Sequence, residues 1–269
     1  MRPNPMSSHT RRGHIALWLG IFSSPFATSA RACEGGHPLP PRKSFASGDL
    51  LWTKLPYEIV PYAAEAHHVA EQAEWKRQLA RYLDQLATSP HDLRTEQIAA
   101  KLARMSYDDY VTAFSSGVEL VTDTRTQLYG SGIPGTGHVG IVDIDSSGAI
   151  SVVDASIGRG VARTNYDKWL SDQACNDVWH GRIACCDVGQ REAIVRAARE
   201  HLGKKYNFFG FNLRDATDFY CSKLVWLSAF NSVGIAVDGD PNPLRHLWLS
   251  PKQLLSSKQV QILYRPGKY

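Results

Sequence analysis

The stretch Phe219-Tyr220-Cys221-Ser222-Lys223-Leu224-Val225-Trp226 places a cysteine where a strongly apolar helix, predicted over 220–230, is expected to begin. Backbone N–H groups and the helix dipole at such a position favour a thiolate over a thiol. The same N–H groups can bind an oxyanion. Taken by position alone, however, a cysteine here is more often a small buried side chain. Whether Cys221 is a nucleophile therefore depends on which other residues the fold places beside it.

A histidine opens the most apolar predicted strand, 138–144, in the sequence GHVGIVDI. The start of a strand projects its side chain at a sheet edge, where a base can meet the beginning of a helix from elsewhere in the chain. A histidine in this place is, by itself, more often structural or exposed. His138 is thus a candidate base only in combination with Cys221.

A carboxylate, Asp154, ends the next predicted strand, ISVVD at 150–154. The intervening DSSG is a typical hairpin turn, which would pair the two strands. Across such a hairpin a carboxylate can accept a hydrogen bond from an imidazole and orient it. By itself, an aspartate at the end of a strand is common and does not indicate a function.

The order of five short motifs resembles the permuted NlpC/p60 papain-like cysteine hydrolases, the YiiX-like group. In chain order these are GDLLW, GHVGIVD, VVDAS, AAREHLGKKYNFF and DFYCSKLVW. In the ordinary papain order the cysteine precedes the histidine, whereas in the permuted group the cysteine helix comes late, as here. The resemblance covers roughly 45–56 and 117–264. It implies an α+β fold with a small antiparallel sheet packed on the cysteine helix.

The resemblance also implies roles for individual residues. Cys221 matches the nucleophile, His138 the base, and Asp154 the polar third residue, which is commonly a longer Glu in the group. Three further residues are implied to line the substrate-binding cleft: Tyr206, Ser222 and Tyr220. Gly48-Asp49 matches an opening turn with a structural role. No metal and no organic cofactor is expected.

A helical block at about 57–116 departs from the compact family pattern. Apolar residues at helical spacing predict helices over 62–87 and 95–105, and a third helix from Ser106 to Phe114. The block either covers the cleft and sets specificity or is a structural addition. With it, residues 48–269 are predicted to form one hydrolase domain.

Residues 1–32 have the features of a secretory signal peptide, and 33–47 those of a linker. Arg11 and Arg12 precede a short apolar core, and Ala30-Arg31-Ala32 offers small residues for cleavage before Cys33. The apolar run is too short to span a bilayer. These features predict export to the periplasm or medium of a bacterium, without a stable membrane span, and a lipid anchor on Cys33 is not expected because Ala30 replaces the usual Leu.

The net charge of +4 argues against a nucleic-acid partner once its location is considered. The leader contains four arginines and no acid, so the remaining chain has 26 basic and 26 acidic residues. The five cysteines could form two disulfides and leave one thiol free, but their number does not assign pairs among Cys33, Cys175, Cys185 and Cys186. Oligomeric state is likewise open.

The reaction predicted from these features is acyl transfer to water through a Cys-His-Asp triad. Family resemblance and export together favour an amidase or endopeptidase acting on the stem peptides of peptidoglycan. Two alternatives stay open: a lipid-directed thioesterase or acyltransferase of the same fold, and a catalytically inactive wall-binding module or delivered toxin-like effector.

Overall fold

Six antiparallel strands form the main sheet, and the two predicted hairpin strands lie beside each other within it. The computed structural model describes residues 39–55, 65–88, 90, 92–110, 136–173, 177–245 and 248–269. The strands are β1 (Leu50–Leu55), β2 (Thr136–Ile144), β3 (Ile150–Ser156), β4 (Gly160–Asn165), β5 (Val178–Ile183), β6 (Lys205–Tyr206), β7 (Asp218–Phe219) and β8 (Val260–Tyr264). The sheet order is β4-β3-β2-β1-β5-β8, while β6 and β7 pair in parallel as a separate ribbon.

The helices agree with the apolar periodicities of the sequence. They are α1 (Glu65–Thr88), α2 (Leu93–Ala103), α3 (Tyr166–Asp172), α4 (Val188–Arg199), α5 (Cys221–Val233) and α6 (Pro251–Leu255). Residues 107–110 are also helical, and Arg42–Ser44 form one 3-10 turn. The helix predicted to begin beside the cysteine is α5, which starts at Cys221 and stops at Gly234, a residue with a φ of 73° that favours glycine. No helix within these described ranges has the length and apolarity needed to cross a membrane.

Both faces of the sheet are covered by apolar side chains, as the long apolar runs of β2 and β3 require. One face packs against α5, with Val139, Ile141 and Val153 in the same cluster as Leu224. The opposite face packs against α3 through a smaller cluster that includes Trp169. The predicted α+β fold, a sheet packed on the cysteine helix, is therefore confirmed, although the sheet is larger than expected.

The helical block packs into the main core. Trp75, Leu79, Tyr82 and Leu86 recur every three or four residues along α1, and all are buried in the cluster that also contains α5. A polar contact joins the same helix to β7, just before α5, since Gln78 Nε2 donates to Asp218 Oδ2 at 3.2 Å. Residues 57–64 and 111–116 of the block lie outside the described residues. The apolar residues at 118–121 predict a short strand, and they too lie outside the described residues.

The Gly48-Asp49 turn is held by a buried polar cluster. Asp49 accepts hydrogen bonds from the backbone N–H of Ala46 (2.8 Å), from His180 Nε2 (2.8 Å) and from Arg182 Nε (2.5 Å). Gly48 has a φ of 80°, and a Cβ there would lie 2.6 Å from Cβ of Arg191. These contacts agree with a structural role for the turn, because they fix the entry of the chain into β1.

One predicted helix is shorter than expected. The periodicity predicts a helix over 190–202 closed by Gly203, but α4 ends at Arg199. Residues 200–203 instead form a turn in which Gly203, with a φ of 80°, donates its N–H to the carbonyl of Val161 in β4. This tertiary hydrogen bond ends the helix early and brings the chain to β6.

Candidate active site

The hairpin of β2 and β3 places His138 against Asp154. The strands pair with Ile141 opposite Val153, so the two polar residues lie diagonally across the ladder. His138 Nε2 is 2.6 Å from Asp154 Oδ2, and both side chains are buried. Such a short contact fixes the orientation of the ring. With Nε2 committed to the carboxylate, Nδ1 is the ring nitrogen left for another partner.

Cys221, the first residue of α5, lies close enough to His138 to affect its pKa, and its side chain is only 4% exposed. Burial by itself lowers the pKa of His138, but the hydrogen bond with Asp154 and the interaction with Cys221 raise it to about 10. The imidazole is therefore protonated over the physiological range.

Asp154 is supported by several donors besides the histidine. Arg159 Nη2 lies 2.9 Å from Oδ1, Trp169 Nε1 donates to Oδ2 at 3.1 Å, and Ser156 Oγ lies 3.3 Å from Oδ2. Burial tends to raise the pKa of Asp154, but the bond to His138 and the charges of His138 and Arg159 lower it. The carboxylate thus stays ionised although it is fully buried.

Arg159 and Trp169 were not identified from the sequence as partners of Asp154. Arg159 lies between two glycines, Gly158 and Gly160, whose φ values of 76° and 72° let the turn after β3 fold the arginine back. The Gly-Arg-Gly pattern was a usable signal for such a turn. Trp169 is buried, and the centroid of its ring lies 6.4 Å from that of His138.

Of the three residues predicted to bind substrate, two are fully buried and one is partly buried. Ser222 is fully buried, with Oγ 3.7 Å from Cys221 Sγ. Tyr206 in β6 is partly buried against the core cluster that contains Cys221. Tyr220 has no exposed surface, and its phenol oxygen accepts a hydrogen bond from the backbone N–H of Leu249 at 3.3 Å. Its side chain therefore belongs to the core, where it packs on Trp248.

The start of α5 offers backbone donors to an anion. Tyr220 is the N-cap residue and makes no side-chain cap hydrogen bond. The first N–H groups of a helix have no acceptor within the helix, and they carry partial positive charge. The backbone N–H of Cys221 is therefore in a position to stabilise the oxyanion that forms when a thiol attacks a carbonyl carbon.

The other described cysteines are free thiols: Cys185 is exposed and Cys186 is buried. Burial and the neighbouring Cys185 raise the pKa of Cys186 to about 11, which makes it unreactive near neutral pH. Cys33 and Cys175 lie outside the described residues. Within the described part of the chain, no three His, Cys, Asp or Glu side chains are grouped so that they could hold a metal ion.

Comparison with known proteins places the chain in a family. The family model of the permuted papain-like amidase enzymes, YaeF/YiiX, family C92, matches residues 118–263. The solved structure of the metalloprotein YiiX from Escherichia coli O157:H7 is 21% identical, over 48% of this chain and 82% of that one, with a TM-score of 0.38. A search of curated proteins found no match. Because the family match spans more than half of the chain, the chain belongs to the permuted papain-like amidases and is a cysteine hydrolase.

Proposed function

We propose that Cys221, His138 and Asp154 are the catalytic triad of an exported amidase that cleaves an amide bond in the stem peptides of peptidoglycan. The observation that carries the proposal is the buried 2.6 Å contact between His138 and Asp154, with Cys221 close enough to affect the pKa of the same histidine. A base held between a nucleophile and an orienting carboxylate is the arrangement that nucleophilic acyl transfer requires.

The reaction proceeds through an acyl-enzyme. His138 holds the proton of the Cys221 thiol, and the thiolate attacks the amide carbonyl carbon to form a C–S bond. The carbonyl oxygen becomes an oxyanion that the N–H of Cys221 stabilises. The C–N bond then breaks as His138 returns its proton to the leaving amine. Finally His138 removes a proton from water, the hydroxide attacks the thioester, and Cys221 leaves as the acid product is released.

The choice of substrate rests on two features together. The family is one of amidases, which implies an amide substrate. The leader features at 1–32 favour export, and the stem peptides of peptidoglycan are an abundant amide substrate in a bacterial envelope. Tyr206 and Ser222, which lie near the nucleophile in the fold, are proposed to line the cleft for this peptide, while Tyr220 contributes through its backbone.

Mass spectrometry of purified sacculi tests the proposal. Wild type should release peptide fragments, Cys221→Ala should release none, and Cys185→Ala, which removes an exposed thiol in another part of the fold, should behave as wild type. A palmitoyl thioester, tested in parallel as a second substrate, distinguishes the lipid-directed alternative from the peptidoglycan amidase. Turnover of the thioester alone would refute the peptidoglycan assignment, and binding to sacculi without turnover of either substrate would refute catalysis.

The export part of the proposal has its own measurement. Expression of the full chain in a bacterium, followed by fractionation and N-terminal sequencing, should give a mature protein that begins at Cys33 in the periplasm or medium. A full-length protein retained in the cytoplasm would contradict export while leaving the triad untouched.

A further inference from the structure

The segment that follows β8 returns across β5 and β1 to the beginning of β2. Trp179 in β5 donates from Nε1 to the carbonyl of Gly267 at 3.2 Å. Two residues later, the ring of Tyr269 meets the ring of Trp179 edge to face, with centroids 4.8 Å apart and planes at 80°. A hydrogen bond and an aromatic contact to the same tryptophan therefore hold the segment 265–269 in place.

The phenol of Tyr269 fills a space directly beside the candidate base. Its hydroxyl donates to the carbonyl of Thr53 at 3.0 Å, and Thr53 pairs with His138 in the β1–β2 ladder. A Cβ on Gly137 would lie 1.5 Å from the same hydroxyl, so the phenol occupies the volume that a side chain at 137 would take. Only a glycine before His138 leaves this space open.

The same phenol also lies near the nucleophile. Tyr269 packs against the core cluster that contains Cys221, and burial together with the electrostatic effect of Cys221 raises the pKa of its phenol well above the ordinary value. Cys221 and His138 are 4% and 7% exposed, respectively. An amide substrate must reach both residues, so the groups that cover them have to be displaced before reaction.

We propose that Thr53, Gly137 and Trp179 form a substrate subsite, and that Tyr269 occupies this subsite from within the chain until a substrate displaces it. Its lining selects a flat aromatic group that carries a hydrogen-bond donor, because Trp179 offers a ring to pack on and Thr53 offers a carbonyl to accept. This inference rests on the proposed function, because the subsite serves catalysis only if Cys221 is the nucleophile.

Self-occupation lowers the apparent affinity for substrate in proportion to the fraction of molecules in which the subsite is closed. The chain therefore binds only those substrates whose side group competes with its own phenol. A substrate without such a group would leave Tyr269 in place and would find Cys221 covered.

Alkylation of Cys221 by iodoacetamide measures access to the site without requiring turnover. Peptide mapping by mass spectrometry follows Cys221 and, in the same sample, the exposed Cys185 as internal reference. Tyr269→Ala should accelerate the alkylation of Cys221 about tenfold, corresponding to a subsite open in about a tenth of wild-type molecules. The rate at Cys185 should not change. Equal rates at Cys221 in wild type and Tyr269→Ala would overturn the proposal.

Small phenols test the chemistry of the subsite. Millimolar p-cresol should slow the alkylation of Cys221 in Tyr269→Ala back towards the wild-type rate, and toluene, which lacks the donor, should protect less. The absence of protection by p-cresol, or equal protection by toluene, would contradict the assigned selectivity.

Gly137→Ala supplies a second, independent variant. Its methyl group should expel the Tyr269 ring and fill the subsite, so that Cys221 reacts quickly and p-cresol gives no protection. Protection of Gly137→Ala by p-cresol would place the phenol site elsewhere and overturn the proposal. Digestion of sacculi by the same variants separates the two proposals: faster alkylation without any turnover refutes the hydrolase assignment for this substrate while the subsite stands.

Discussion

Arg159 donates from Nη2 to both carboxylate oxygens of Asp154, at 2.9 and 3.1 Å, on a carboxylate that is itself fully buried. The arginine is about one third exposed, so it connects the buried carboxylate with the surface. Burying a carboxylate is costly unless it is paired and hydrogen-bonded. The arginine and Trp169 therefore allow Asp154 to remain charged where it orients His138.

Arg159→Gln should reduce kcat/KM about two- to fivefold, a modest effect because the partly exposed arginine is screened by solvent. Losing its charge raises the pKa of Asp154 and weakens its hold on His138. Arg163→Gln is the matched control, since Arg163 is equally exposed but binds Asp143 instead. Measured pH profiles of Cys221 alkylation should shift for the first variant only; a shift in both would show that the effect is general electrostatics.

Asp154→Asn should lower kcat/KM by about 10- to 150-fold, since a hydrogen bond to a charged group contributes about 1.5–3 kcal/mol. The amide keeps the shape of the carboxylate but not its charge, so the pKa of His138 should fall from its value of about 10. Titration of the His138 ring by NMR checks this directly. Asp172→Asn changes a carboxylate that also binds Arg159 but is not bound to His138. It should leave kcat/KM and the pKa of His138 near their wild-type values.

The pH dependence of stability should report the same histidine. Because the pKa of His138 is raised from 6.5 to about 10, the folded state retains a proton that the unfolded state loses as pH rises. The stabilisation is fully present below about pH 6.5, and it is lost as pH rises through about 10. The free energy of unfolding of wild type should fall over this window relative to His138→Gln. Parallel curves for the two proteins would contradict the raised pKa.

Trp75→Ala in α1 should lower the free energy of unfolding by about 3–5 kcal/mol, as expected for removing a buried aromatic side chain. Trp75 is 2% exposed and lies in the cluster that contains α5. Denaturant unfolding followed by fluorescence and circular dichroism should therefore show one transition for the helical block and the sheet. Lys76→Ala, at the next and exposed position, should change stability by less than about 0.5 kcal/mol. A separate early transition would mean that the block folds independently.

Features determined by neighbouring residues could be predicted from the sequence. The hairpin of β2 and β3 follows from two apolar runs around a DSSG turn. The contact between His138 and Asp154 needed only the hairpin. The position of Cys221 beside them needed the family resemblance as well, because no local pattern specifies where α5 docks.

Features determined by distant residues could not be predicted in this way. Trp169 reaches Asp154 from a separate helix, and no periodic signal in the sequence marks that approach. For Arg159 the flanking glycines indicate a turn, but they do not indicate the carboxylate that it binds. Tyr269 contacts Thr53 from the other end of the chain. Similarly, the early end of α4 depends on a hydrogen bond from Gly203 to a strand that the sequence does not pair with it.

The hairpin that joins His138 to Asp154 also sets the order in which the active machinery is completed during synthesis. These two residues are 16 positions apart and can meet as soon as one hairpin forms, whereas Cys221 is made much later. On the proposed mechanism, a ribosome-bound chain that has not reached α5 has the base and its carboxylate but no nucleophile, and a fragment that begins at β7 has the nucleophile without its partners. Each of these pieces is inert by itself, so that stray hydrolytic activity is confined to molecules in which α5 has docked on the hairpin.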